Sequence, residues 1–384
     1  MVISVFRPDM GRRELTAVRE VFETQWLGSG PRLERFCSDF AALIGVPREE
    51  LADVSCCTEG LFQILAAIDL KPGDEVILPT VSFIGAAHAI RARGATPVLC
   101  DVDPRTLNPS PADIEAVISR RTKAIVVLHF GGHPGEIATI AETARTRGIF
   151  LIEDSACAIG ATVNGRMCGT FGDAAVWSFD AMKIVVTGDG GIVRAADPAL
   201  LSGIRKSVFL GIERSGFAKA QVGAAWWKED PDCIGRRARM NDLSAAIGIV
   251  QLSRLSGFLR RRQAIARRYD RAFADLPWLV GPPRPPAEAT SSWYFYWIQL
   301  DAAHRNRLAH HLLARGIYTT FRYWPLHKMR LYRSPRRFPG ADSAAARTLL
   351  LPIHQGLSND EILSVVEAVR EFETTAPSHD PLSK

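Results

Sequence analysis

The chain has no CxxC pair and no His/Cys spacing of the kind that holds a metal. Its seven cysteines, at positions 37, 56, 57, 100, 157, 168 and 233, are an odd number scattered over 384 residues. A disulfide scaffold and a zinc module are therefore not expected, and a reduced, cytoplasmic protein is. No run approaches the roughly 18 apolar residues of a membrane span, and the opening MVISVFRPDMGRREL has no apolar signal core. Long charge runs, internal repeats and low-complexity stretches are missing too. The net charge is +6, and its densest basic clusters are Arg260-Arg261-Arg262 with Arg267-Arg268, and residues 333–337. The first falls on an expected long helix and reads mostly as a solvated face. Such a spread suits a small anionic substrate and gives no reason for a nucleic-acid or membrane partner.

What is present is an ordinary globular composition, 47% hydrophobic and 23% charged, long enough for one large and one small domain. Residues 11–45 read as two helices split by the turn LGSGP at 27–31. Short β-like runs then alternate with helical stretches: strands near 71–79, 96–101, 124–128 and 149–153, helices near 58–68, 83–93, 111–119 and 136–147. That alternation predicts βαβ units and a mostly parallel sheet. In such sheets a ligand sits beyond the carboxyl ends of the strands, so Cys57-Thr58, Phe83, His129 and Asp154 can all face one crevice. A helical pattern runs from Asn241 to about Leu276. After GPPRPP at 281–286, SWYFYWIQL at 292–300 reads as an alternating strand, followed by helices at 304–315 and 357–372. The expected organisation is a large domain over 1–255 with an N-terminal helical segment, a small α+β domain over 256–374 and a disordered tail over 375–384.

Two residues carry chemistry. Lys183 lies between the apolar run 174–179 and the Gly-rich GDGG of 188–191; a lysine there can form a Schiff base with an aldehyde or ketone. Asp154 leaves the end of an apolar strand, where a carboxylate can hold a pyridine nitrogen protonated. A lysine for the aldehyde carbon and a carboxylate for the ring nitrogen are what pyridoxal 5′-phosphate requires of a protein.

Motifs along nearly the whole chain resemble one family. They are WLGSGP, PGDEVILPTVSF, GATPVLCDVDPRTLN, RTKAIVVLHFGGHP, IEDSACAIGA, FGDAAVWSFDAMK, GDGG, RMNDLSAAIGIVQL, YWPLHK and LLLPIH, in that order. In this set the chain resembles the DegT/DnrJ/EryC1/StrS family of pyridoxal-phosphate-dependent sugar aminotransferases. The resemblance implies an α/β protein of fold type I: a mostly parallel seven-stranded sheet flanked by helices, with a small C-terminal α+β domain. It also implies a homodimer with shared active sites.

Carried over position by position, Lys183 is the Schiff-base lysine and Asp154 the partner of the pyridine nitrogen. Phe83 matches the aromatic stacked on the cofactor ring, although a core phenylalanine would read the same. Thr58 and Glu59 match the phosphate-binding turn at a helix start, Glu59 through its backbone N–H only, and Ser178 matches a further hydroxyl on the phosphate. Three positions depart from the family pattern. Cys57 stands where glycine is usual, and Cys157 where glutamine often faces the ring hydroxyl. Arg237, in GRRARM at 235–240, replaces the asparagine that reaches the partner subunit's phosphate; a surface arginine would look no different. His129 and His327 resemble histidines near the acceptor pocket, or structural histidines. Tyr323 and Trp324 are candidates for the sugar site, with Arg322 and Arg330 flanking them and suiting a diphosphate tail. Trp26, Gly28 and Gly30 occupy a turn that approaches substrate in relatives, or a plain connector.

The expected activity is transfer of an amino group from L-glutamate or L-glutamine to a keto sugar, nucleotide-linked, in amino-sugar or antibiotic biosynthesis. Three alternatives stay open: a keto-cyclitol aminotransferase, a sugar dehydratase and a non-catalytic regulatory homologue. Dehydratases of the family carry histidine at the lysine position, and a pure binder would not need Lys183 and Asp154 together.

Overall fold

The computed structural model describes residues 2–212 and 225–372; the tail expected over 375–384 lies outside them. The apolar runs become strands β1 (Leu51–Val54), β2 (Glu75–Pro79), β3 (Thr96–Cys100), β4 (Thr122–Leu128) and β5 (Phe150–Asp154). A small hairpin follows, β6 (Thr162–Val163) and β7 (Arg166–Met167), and then β8 (Ala174–Ser178) and β9 (Gly191–Ala195). Seven of these join in the order β1-β9-β8-β5-β4-β2-β3. The pairs from β8 to β3 are parallel, and β9 runs antiparallel to both of its neighbours. The central strands are buried on both faces, which is why they read as continuous rather than alternating apolar runs. Pro97 sits in β3 at the sheet edge, where its missing N–H costs a ladder bond on one side only.

Helices α1 (Arg12–Glu23), α2 (Pro31–Ile44), α3 (Cys57–Ala67), α4 (Ile84–Ala92), α5 (Pro111–Glu115), α6 (Ile137–Thr146) and α7 (Pro198–Ser207) surround the sheet. Helix α5 is shorter than the stretch 111–119 expected from sequence. Past Glu115 the N–H groups of Val117 and Ile118 bond only three residues back, and the Thr122 hydroxyl accepts the Ser119 N–H. Helix α3 lies close on the sheet: a Cβ on Gly60 would stand 2.7 Å from Val176 and 2.9 Å from Val193.

Helix α8 (Asp242–Ala272) runs unbroken through residues 255 and 256. Its first half packs on α1 and α2 and joins the main core through Leu255 and Phe258. Its second half buries Ile265, Ala266 and Tyr269 in a second core. That core is completed by β11 (Tyr296–Gln299) paired antiparallel with β12 (Thr348–Leu351), and by α9 (Ala302–Ala314) and α11 (Asn359–Arg370). The remaining elements are β10 (Ala289–Thr290), paired with β6, and α10 (Pro339–Arg347).

Two sequence expectations need correction here. Residues 292–300 are not one alternating strand: Tyr294 to Leu300 are buried throughout and only the last part pairs with β12. The Ser292 and Phe295 N–H groups donate instead to the Gly132 and Gly131 carbonyls beside β4. Nor is the Arg260–Arg262 cluster wholly a solvated face, because Arg262 is 1% exposed.

Candidate active site

The parallel strands deliver Cys56-Cys57, Asp154 and Ser178 to one edge of the sheet, and that edge is closed by the loop between β8 and β9. The loop is shaped by its own backbone. Phe179 N–H donates to Gly190 O, Thr187 N–H to Phe179 O and Lys183 N–H to Asp180 O, while Asp180 Oδ1 accepts Met182 N–H at 3.0 Å. Ile184, Val185 and Val186 are buried and anchor it. Glycine is required at 190, where φ is +153°, and at 191, where a Cβ would meet Cys57 N at 2.9 Å. The close approach of Gly191 sets the lysine loop directly against the start of α3.

Lys183 Nζ lies 4.9 Å from the centroid of the Tyr294 ring. Burial pulls this ammonium down, but Tyr294, Cys157, Tyr323 and Cys57 push the other way and leave it well above the ordinary lysine value. Asp154 is 1% exposed and forms no ion pair among the described residues; its Oδ1 accepts only the Ala156 N–H, at 3.1 Å. Burial raises its carboxyl, with Ala156, Lys183 and His129 opposing. Cys157 is buried and reaches the Tyr323 hydroxyl at 3.9 Å. Burial raises its thiol as well, and Lys183 opposes.

Phe83 is 38% exposed, so it is not a core phenylalanine. It packs over Gly85, where a Cβ would also touch Thr58 at 3.1 Å, and meets Tyr323 edge-on at 5.8 Å. Helix α3 starts at Cys57, capped by Cys56 Sγ, which accepts Glu59 N–H at 3.4 Å. The Glu59 carboxylate turns away to Gln63 Nε2 at 2.6 Å and Arg236 Nη1 at 3.2 Å. The Glu59 N–H, expected to face the phosphate, is taken by this cap, while the Cys57 and Thr58 N–H groups have no hydrogen bond among the described residues and leave a positive dipole end. Ser178 is half-buried at the end of β8, its Oγ accepting Asp180 N–H at 3.4 Å.

These residues fit the group the sequence implies. A buried carboxylate without a cation, a lysine beside it, an exposed aromatic face and a helix start with hydroxyls at Thr58 and Ser178 match a pyridinium, an aldehyde, a flat ring and a phosphate in turn. Ser82 Oγ and Ser155 Oγ, next to Phe83 and Asp154 in sequence, are buried with no hydrogen-bond partner among the described residues.

Other expected residues lie elsewhere. His129 is fully buried: Nε2 meets Glu153 Oε2 at 2.9 Å and Nδ1 meets Pro134 O at 3.3 Å, so neither nitrogen is open to a substrate. His327 is locked by Thr80 Oγ1 at 2.8 Å and Asp342 Oδ1 at 3.1 Å, and stacks on Phe338. Arg237 is exposed and its backbone bridges to Phe209; within this chain it is Arg236 that reaches α3. Trp26 is 58% exposed, donates Nε1–H to Ser29 O and packs on Gly30, while Gly28 O accepts Asp242 N–H at the start of α8. Trp324 is exposed, and Tyr323 packs inward.

Sequence reasoning missed the back wall. Arg262 donates to the carbonyls of Trp293, Tyr294 and Ile353 and to Gln355 Oε1, all at 3.0–3.2 Å. Gln355 Nε2 in turn donates to Ile184 O, one residue past the lysine. This chain of bonds fixes the Tyr294 ring relative to Lys183. The signal was available: Arg262 shares a helix stripe with Phe258, Ile265, Ala266 and Tyr269, at spacings of three, four and seven.

Known proteins resemble this chain along nearly its whole length. The model of the DegT/DnrJ/EryC1/StrS aminotransferase family matches residues 8–370. The chain is 47% identical over 98% of both lengths to a dTDP-4-dehydro-2,3,6-trideoxy-D-glucose 4-aminotransferase of Saccharopolyspora spinosa. The aminotransferase TlmJ from Streptoalloteichus hindustanus superposes with a TM-score of 0.93 at 51% identity, over 96% of this chain and 98% of that one. A putative sugar aminotransferase of Streptococcus pneumoniae, Spr1654, solved in its PMP form, superposes with a TM-score of 0.87 at 26% identity, over 95% and 97%. A lysine and an unpaired carboxylate at the strand ends, within a family match that leaves only the chain ends uncovered, allow one conclusion: the chain belongs to the DegT/DnrJ/EryC1/StrS aminotransferase family.

Proposed function

We propose that this enzyme moves an amino group from L-glutamate to a nucleotide-linked keto sugar, and that it does so with pyridoxal 5′-phosphate on Lys183. The observation that carries the reading is that Lys183 acts on the buried Asp154 carboxylate, which has no ion pair among the described residues. The substrate class follows from similarity to the S. spinosa 4-aminotransferase, whose sugar is dTDP-linked.

The cofactor, when bound, supplies an electron sink for charge developing at the donor Cα. Everything else falls to the chain. Asp154 would receive the ring N–H and, paired with that cation, stay ionised despite its burial. Phe83 would offer its open face to the ring. The start of α3, with the Thr58 and Ser178 hydroxyls, would bind the phosphate dianion. Lys183 Nζ would take the proton from the donor Cα as general base and deliver it, as general acid, to the cofactor's aldehyde carbon. Tyr294 limits where that amine can swing.

The second subunit contributes Arg237 to its partner's phosphate site in this reading, making the enzyme a homodimer with shared sites. The guanidinium would add charge-assisted bonds where relatives use an amide. Mixing Lys183→Ala with Arg237→Ala chains tests it. A mixed dimer then has one site with both defects and one with neither, so activity should return on subunit exchange; no return after proven exchange excludes shared sites.

For the lysine, borohydride trapping of the cofactor followed by peptide mapping should place the label on Lys183. A label on Lys206 or Lys123 would overturn the assignment. For the substrate, loss of the lysine-bound cofactor's visible band on adding a dTDP-linked 4-amino sugar is the expected result. A response only to ordinary amino acids would rule the sugar out.

A further inference from the structure

Arg322 lies against the lysine loop and, among the described residues, donates to no oxygen. Its guanidinium lies 4.9 Å from the Phe6 ring centroid, and its Nη2 reaches Met182 Sδ at 3.5 Å, the residue before the lysine. Phe6 stacks in turn on Tyr294 at 5.8 Å, and Tyr294 faces Lys183 Nζ. The neighbouring arginines are engaged. Arg7 makes two bonds of 3.0 Å to the Glu361 carboxylate, and Arg262 donates from Nε and Nη1 to four oxygens. Arg322 has no carboxylate and no oxygen acceptor among the described residues. Its five donors are offered a thioether, which is a weak acceptor, and an aromatic face.

A half-buried guanidinium held flat by a ring, with its fork unfilled, is built to receive a carboxylate or phosphate in two-point contact. We propose that Arg322 docks a carboxylate of the amino-acid donor. This rests on the aminotransferase reading above. The donor is favoured over the sugar's diphosphate by position. Arg322 touches the residue adjacent to Lys183, and its charge acts on Tyr294 and Cys157 at the reacting end of the pocket. A donor carboxylate sits one bond from the Cα that reacts there, whereas a diphosphate hangs beyond the far side of the sugar. The Phe6 stack keeps the guanidinium in place when the pocket holds an acceptor without a carboxylate, which a two-substrate cycle requires.

The test uses the holoenzyme and two variants, Arg322→Gln and Arg322→Lys, and follows each half-reaction separately by the cofactor's visible band. Arg322→Gln should weaken L-glutamate by about 10- to 100-fold, the scale of losing a charge-assisted pair. The reverse half with a dTDP-linked amino sugar should change by no more than about threefold, within the spread of a near-neutral contact. Arg322→Lys should recover part of the loss. Glutarate, which cannot react, should lose the same factor in calorimetric binding to the pyridoxamine form. Unchanged glutamate and glutarate affinities would overturn the proposal. A loss confined to the amino-sugar half would do so too, assigning the fork to phosphate. Equal losses in both halves with a lowered melting point would mean a structural role and also overturn it. If the wild type ignores glutamate altogether, the proposed function fails, while glutarate binding still decides Arg322.

Discussion

Glu153 and Asp154 are neighbours on β5, both at most 1% exposed, and alternation along the strand sends them to opposite faces of the sheet. On one face Glu153 is saturated. It accepts from His129 Nε2 at 2.9 Å and from the N–H groups of Gly169, Phe171 and Gly172 at 2.6–2.7 Å. On the other face Asp154 has a single backbone N–H. Buried polar groups in folded proteins are nearly always satisfied, so the deficit on one face is the anomaly. Glu153 ties the β7–β8 connection to the sheet and serves the fold. Asp154 has no ion-pair partner among the described residues and is placed to receive a cation.

That contrast can be broken at several points. The largest effect belongs to the deficient face: Lys183→Ala should lose about 10²-fold or more in turnover with the melting point unchanged, the scale of a positioned acid–base group. On the saturated face the loss should be in stability. Glu153→Gln keeps one acceptor oxygen but turns an NH2 toward the other two donors, and should cost about 3–5 kcal/mol in denaturant unfolding, the range for breaking a buried pair. His327→Gln, between Thr80 and Asp342, should cost about 1–2 kcal/mol and spare turnover, as expected of two hydrogen bonds that hold loops together; a selective loss of turnover would return this histidine to the acceptor pocket. The smallest effect is Cys157→Ser, which keeps the volume and a donor. Turnover should stay within about tenfold, with a shift in the cofactor's absorbance maximum.

Much of this was legible in the chain. The βαβ alternation and the GDGG loop predicted the sheet and its lysine because each is a local pattern. The placement of Phe83, Asp154 and Thr58 at or just past strand ends was legible because strand ends in parallel sheets face one crevice. His129 and His327 were not, because sequence does not record whether a histidine's nitrogens are already engaged. Glu153 was hidden by its neighbour: IED reads as one acidic pair until the pleat separates them. Arg262 was hidden by two arginines before it, although its helical spacing placed it inward. Tyr294 and Gln355 come from the distant C-terminal third and gain their roles only through Arg262, a long-range contact that no local pattern carries.

The central claim is that the Asp154 carboxylate is unpaired in the protein and waiting for a cation, and one variant tests it. Burial raises the Asp154 carboxyl in the cofactor-free chain, so the folded state holds its proton more tightly than the unfolded one. Stability from this group is then present below the ordinary aspartate value and is lost as pH rises toward the raised folded value. After cofactor removal, Asp154→Asn should therefore unfold at or above the wild-type temperature at neutral pH, and should lack that fall with pH. With cofactor restored, the same variant should lose most of its transamination. A cofactor-free Asp154→Asn that melts well below wild type, or a restored one that turns over like wild type, would contradict the account.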